Sequence, residues 1–147
     1  MTMKRLPREY LWFVERVLRE HPGRERELES IEEAIAACCH APTVSDMPGG
    51  SASESEPERV MEAKEHNEAY QRVLRIVRQV ERAVSTLTEE EKELVEWHLW
   101  NDLRKWEVAE VLGMEEKPIW RMKTRILRKV APYVLGDWAK VSWTGHP

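Results

Sequence analysis

Between Leu103 and Val130 the sequence places two helical patterns of opposite character on either side of one glycine, Gly113. The first puts Val108, Val111 and Leu112 on one face around a small Ala109, the spacing of a short helix packed closely on a neighbour. Gly113 supplies a tight break, because a residue without Cβ turns the chain at little steric cost. The second is a longer amphipathic pattern, with Ile119, Met122, Ile126, Leu127 and Val130 inward and mostly Lys, Arg and Thr outward. Such a segment must fold as helix, turn, helix against further helices. Neither half buries its apolar stripe alone.

Charge divides along the same line. Thr88 to Glu115 holds three Lys or Arg against nine Asp or Glu, whereas Glu116 to Val130 holds six against one, in a chain of net charge −4. Intrahelical ion pairs do not explain the second segment, since its single acid, Glu116, cannot neutralise six cations. A chain acidic elsewhere that gathers its positive charge on one short helix is arranged to offer that helix to phosphates. This is the electrostatic footprint expected of duplex DNA binding.

At 147 residues, with 41% hydrophobic and 34% charged residues, the chain can bury one or two small cores, and the pattern is all-α throughout. No charged leader runs into an apolar stretch, and no stretch is long enough to cross a bilayer, so a cytoplasmic location is expected. The adjacent Cys38 and Cys39 are poorly placed for a mutual disulfide, and with His40 they lack the spacing of a structural zinc site. They are read as small, buried or half-buried apolar residues near a helix end, and no metal or cofactor is expected. No nucleophile, base and acid set and no phosphate-cradling glycine loop appears, and His98 reads as a packed residue, so the chain is not expected to be an enzyme.

The remaining organisation follows from periodicity and breakers. Residues 1–40 read as a helical hairpin: Tyr10, Phe13, Val14 and Val17 mark one helix, His21-Pro22-Gly23 ends it, and Leu28, Ile31, Ile35 and Cys38 mark a second. Residues 41–57, rich in Pro, Gly and Ser, read as a flexible linker. Residues 58–87 contain no Pro or Gly and carry Ala63, Tyr70, Val73, Val77, Val80, Val84 and Leu87 at a and d positions. This predicts one long helix whose seam takes either the hairpin or a second copy of the chain, that is, a homodimer through 58–87. Thr88-Glu-Glu-Glu91 is a capping box that opens a new helix, closed by Asn101-Asp102, in a helix-turn-helix bundle over 88–136. Pro132 and Gly136 end its last helix, and 137–147 read as a loose tail. Trp97, Trp100 and Trp106 are expected to fill the core of this bundle, while Trp120, one step from the buried stripe, is equally suited to touching a base or sugar and to lying on a lysine stem.

Three stretches, Leu87 to Val95, Glu107 to Gly113, and Ile119-Trp-Arg121 through Ile126-Leu127, resemble region 4 of bacterial sigma factors, which reads the −35 promoter element. The wider order is similar to phage late-gene transcriptional activators of the RinA type and to ArpU-like regulators. It has a hairpin with a His-Pro-Gly break, the Pro48-Gly-Gly-Ser51 linker, a long helix, and a reader ending near Arg128-Lys-Val-Ala131. The resemblance implies sequence-specific control of phage or prophage late transcription, in a bacterial host and at its nucleoid. By position it implies Lys117, Trp120, Arg121 and Thr124 on the groove side, Lys123, Arg125 and Arg128 flanking it for phosphates, and Lys105 near the backbone at the start of the supporting helix. The chain departs from such readers in having Glu115 where Ser usually caps the recognition helix, and Pro118 in its first turn. One short reader is weak, so specific control needs dimerisation through 58–87 or a contact between the acidic Thr88 helix and RNA polymerase. The competing expectations are a DNA-recognition subunit of phage packaging, of the small-terminase kind, and a helical protein-interaction module.

Overall fold

A computed structural model describes residues 7–40 and 55–136, and every regular element in them is helical. The elements are α1 (Arg8–His40), α2 (Glu56–His66), α3 (Glu68–Ser85), α4 (Glu89–Leu94) running into a π-helical segment (Val95–Trp100), α5 (Lys105–Leu112) and α6 (Glu116–Leu135). The all-α class expected from periodicity is the one observed. No helix among the described residues is long and apolar enough to cross a membrane. They form two compact units, one of residues 7–22 and 77–136 and one of residues 23–40 and 55–76.

The first unit holds the larger core. Val14, Val17 and Leu18 of α1 are buried in it, as are Val77, Val80 and Ala83 of α3, Leu94, Val95 and Leu99, Val108 and Ala109, and the apolar stripe of α6. Thr88 caps α4 as its sequence signature predicts: its Oγ1 accepts from the Glu91 amide at 3.2 Å, and Glu91 Oε1 accepts from the Thr88 amide at 2.9 Å. Gly113, at φ 65° and ψ 32°, ends α5 in the left-handed region, where a Cβ would be strained. Asp102, two residues beyond the π-helical segment, also takes a positive φ, 59°.

Three expectations about helix boundaries are corrected. The hairpin over 1–40 is a single 33-residue helix with Pro22 inside it. A helical proline lacks the N–H that would bond the carbonyl four residues back, here Leu18. In this fold the Leu18 carbonyl accepts from Trp100 Nε1 at 2.9 Å, so the bond that Pro22 cannot make is replaced from outside the helix. The long helix expected over 58–87 is broken at Asn67, which leaves helical geometry at φ −86°, ψ 108°. Its Oδ1 accepts from the Tyr70 amide at 2.9 Å and so starts α3 as an N-cap. The expected linker is shorter than 41–57: Ser55 caps α2, and Glu56 and Pro57 form its first turn. Residues 41–54 and the tail, 137–147, lie outside the described residues.

Side-chain expectations fare unevenly. Trp100 is partly buried, but Trp97 and Trp106 are exposed rather than core residues, as are Phe13 and Val111. Cys38 is exposed and Cys39 half-buried. Pro132 lies within α6, which continues to Leu135 before Gly136 caps it.

Candidate nucleic-acid interface

The 20 residues of α6 form a helix because their apolar positions recur at helical spacing and Pro118 sits in the first turn, where its missing N–H breaks no bond. Ile119, Met122, Ile126, Leu127, Val130 and Ala131 are buried. Glu115 occupies the N-cap position but makes no side-chain cap bond, in keeping with its being a poorer cap than Ser. Lys117, Arg121, Arg125 and Arg128 are exposed, and Thr124 is half-buried. The spacing 117, 121, 124, 128 lines one face of the helix, with Arg125 beside it.

The structure sorts the residues singled out from sequence into two groups. Lys117, Arg121, Arg125 and Arg128 stand on the open face, and Thr124 Oγ1 there donates back to the Trp120 carbonyl at 3.1 Å. A groove is lined by Arg121, Thr124, Arg125, Arg128 and Lys129, the last of which sequence reasoning had not singled out. Trp120 is 52% exposed. The Lys105 ammonium lies against the face of its ring, and Lys123 Nζ is 5.8 Å from the ring centroid. Burial, with the nearby Lys123 charge, lowers the Lys105 pKa to about 8. Lys105 is therefore committed to the indole and is not extended toward a backbone phosphate.

Lys123 is the clearest departure from the expected contact set. Its side chain is 11% exposed and its Nζ lies 3.1 Å from Glu15 Oε1 on α1. The same Nζ donates to His98 Nε2 at 3.2 Å, while His98 Nδ1 donates to the Leu103 carbonyl at 2.7 Å, so the imidazole is neutral with its proton on Nδ1. Glu15 also accepts from Arg19 Nε at 2.8 Å, and Arg19 Nη1 donates to Asp102 at 2.9 Å. Burial pushes the His98 pKa below its ordinary value and Lys123 adds to this, the Leu103 carbonyl opposing both. Burial would raise the Glu15 pKa, but its bonds to Arg19 and Lys123 hold it below the ordinary carboxylate value. Lys123 thus fastens α6 to α1. A signal for this was present in the sequence: Lys123 is four residues from both Ile119 and Leu127, on the apolar side of the helix.

Glu91 is the second acid that α6 meets. Only 1% of its side chain is exposed, and it takes Arg125 Nε on Oε2 at 3.1 Å and Lys129 Nζ on Oε1 at 2.8 Å. Burial would raise its pKa, yet the bonds from Lys129 and the Thr88 amide hold it below the usual carboxylate value. Arg125 remains 59% exposed despite this contact. Among the described residues, the face offers three cations without an ion-pair partner, Lys117, Arg121 and Arg128, and the Glu91-bound Arg125, over a buried apolar stripe.

No curated protein and no solved structure matches the chain. A family model does, over residues 25–132, from the second half of α1 to the last turn of α6, and it carries the description Protein of unknown function (DUF722). A match over that much of the chain places the protein in the DUF722 family.

Proposed function

We propose that this protein binds duplex DNA sequence-specifically by laying α6 in the major groove, and that it regulates transcription of phage or prophage late genes. The observation that carries the reading is the strip of exposed Lys117, Arg121 and Arg128 with half-buried Thr124 above a buried apolar face, in a chain whose net charge is −4. Non-specific stickiness toward polyanions would need a cationic surface overall. A single cationic helix on an acidic body offers one orientation only.

In this mechanism Lys117 and Arg121 read base edges, Arg121 being suited to the two acceptors of guanine. Arg125 and Arg128 hold backbone phosphates and so fix register without reading sequence. Trp120, its ring face taken by Lys105, presents its edge to the groove wall. Lys123 and Lys105 act from behind, by holding α6 and Trp120 in place. The regulatory context rests on the resemblance to RinA-type activators, ArpU-like regulators and sigma region 4.

The test is selection of preferred duplexes from a random pool, followed by fluorescence anisotropy at several salt concentrations. Arg121→Ala is expected to cost about 1–3 kcal/mol on the selected site and to relax preference at one base position. A wild-type protein that enriches no sequence, or K117A and R121A variants that bind as well as wild type, would remove the assignment.

A further inference from the structure

Two of the side chains that line the groove on the flank of α6 are held by a buried acid. Glu91 belongs to α4, not to the presenting helix, yet its carboxylate contacts two of the cations that line the groove, Arg125 and Lys129. An ionised carboxylate so deeply buried is costly unless each oxygen is satisfied, and here each is: Oε1 by the Thr88 amide and Lys129, Oε2 by Arg125.

The atom used on Arg125 matters. Only its Nε faces Glu91, and no described residue engages Nη1 or Nη2. A guanidinium is planar, so a bond at Nε sets its plane, and the end-on pair of terminal N–H donors points in a different direction from the Nε–H; the Arg125 side chain is 59% exposed. Two parallel N–H donors on a fixed plane suit the paired oxygens of a phosphodiester. An unrestrained surface arginine reaches the same geometry only by giving up rotamer freedom at the moment of binding.

We propose that Glu91 is a positioning residue for backbone recognition: it pre-aims Arg125 so that its terminal amines seat one phosphate of the DNA backbone. This rests on the DNA-binding reading above and assigns a role to a residue that does not itself touch DNA. The proposal sets two effects of Glu91 in opposition. As a negative charge near a polyanion it repels; as an anchor it orders the arginine. Neutralising it tightens binding if repulsion is all it contributes, and weakens binding if positioning dominates.

The experiment uses the full chain and the duplex enriched by selection, with affinity measured by anisotropy over a salt series and folding checked by thermal melting. R125A is expected to weaken binding about threefold to tenfold and to flatten the salt dependence by about one phosphate contact. E91Q is expected to weaken binding in the same direction despite losing a negative charge, and E91Q/R125A to bind no worse than R125A. E91D keeps the charge but shortens the reach to Arg125, so its expected loss reports positioning alone and decides the matter if E91Q does not fold. T88A removes the hydroxyl half of the α4 cap and lowers stability, but is expected to leave the salt dependence unchanged. E91Q and E91D binding as well as wild type or better, with R121A still impaired, would overturn the role of Glu91 and leave the DNA reading standing. An unimpaired R121A would instead overturn the DNA reading.

Discussion

The two compact units are built from the same kind of element but differ sharply in what they bury. All ten of the largest fully buried side chains, Leu18, Leu94, Ile119 and Ile126 among them, belong to the unit of residues 7–22 and 77–136. In the unit of residues 23–40 and 55–76 the buried apolar residues are Ile35, Tyr70 and Val73, none of them completely enclosed, and the 11-residue α2 buries nothing. An isolated helix of that length is marginal in water, so α2 depends on its caps, on Ser55 and Asn67, and on polar contacts such as the 3.7 Å pair of Lys64 with Glu32. The fully buried side chains are concentrated in the unit that holds α6. On the proposed DNA-binding reading the presenting helix has to keep several side chains in register at once, and a dense core behind it supplies that.

The largest expected effect that sharpens this contrast comes from the two cores. Ile126→Ala removes a fully enclosed side chain and is expected to cost about 2–5 kcal/mol in urea denaturation. Ile35→Ala, beside an open groove lined by Ile31, Ala34 and Cys38, is expected to fall at or below the lower end of that range, about 2 kcal/mol. Equal costs would break the comparison.

Next is the substitute bond beneath Pro22. Trp100→Phe keeps most of the apolar contact but strands the Leu18 carbonyl, a loss of about 1–3 kcal/mol. Pro22→Ala restores an amide that reaches Leu18 from within the helix, so the Trp100→Phe penalty should shrink in that background. A double-mutant cycle with no coupling would show that the two residues act independently.

A smaller effect is set by pH. The folded-state pKa of His98 lies below 6.5, so the unfolded chain takes up a proton there before the folded one does. Stability present above pH 6.5 is then lost as pH falls through that value toward the folded-state pKa. Glu15 and Glu91, lowered from 4.5, add a second loss below that pH by the same sign. His98→Asn keeps a donor for the Leu103 carbonyl but does not titrate, and should flatten melting temperature against pH between 6.5 and 4.5. An unchanged profile would show that His98 is not the group responsible.

The smallest effect belongs to α2. Met61 is exposed, and Met61→Ala is expected to move stability by no more than about 0.5 kcal/mol. A cost several times larger would mean that α2 is held by more than its caps and surface pairs.

The helical class, the Thr88 capping box, the turn at Gly113 and the two-faced character of α6 were legible because each depends on residues within a few positions of one another. The same locality explains the errors. His21-Pro22-Gly23 is a sound stop signal by local rules, and Asn67 is a weak one, yet the helix runs through the first and breaks at the second. Trp106 and Val111 are apolar residues of α5, yet the packing leaves both exposed.

What the sequence determined by itself is therefore the set of helices and the polarity of the one that presents its cations, since periodicity and capping are properties of neighbouring residues. Only the tertiary structure decided which cations stay available. Lys123 meets Glu15 and Arg125 meets Glu91 across long stretches of chain, and Leu18 finds Trp100 in the same way. A buried charge or carbonyl must be satisfied by whatever packing brings near it, and no local pattern records that partner.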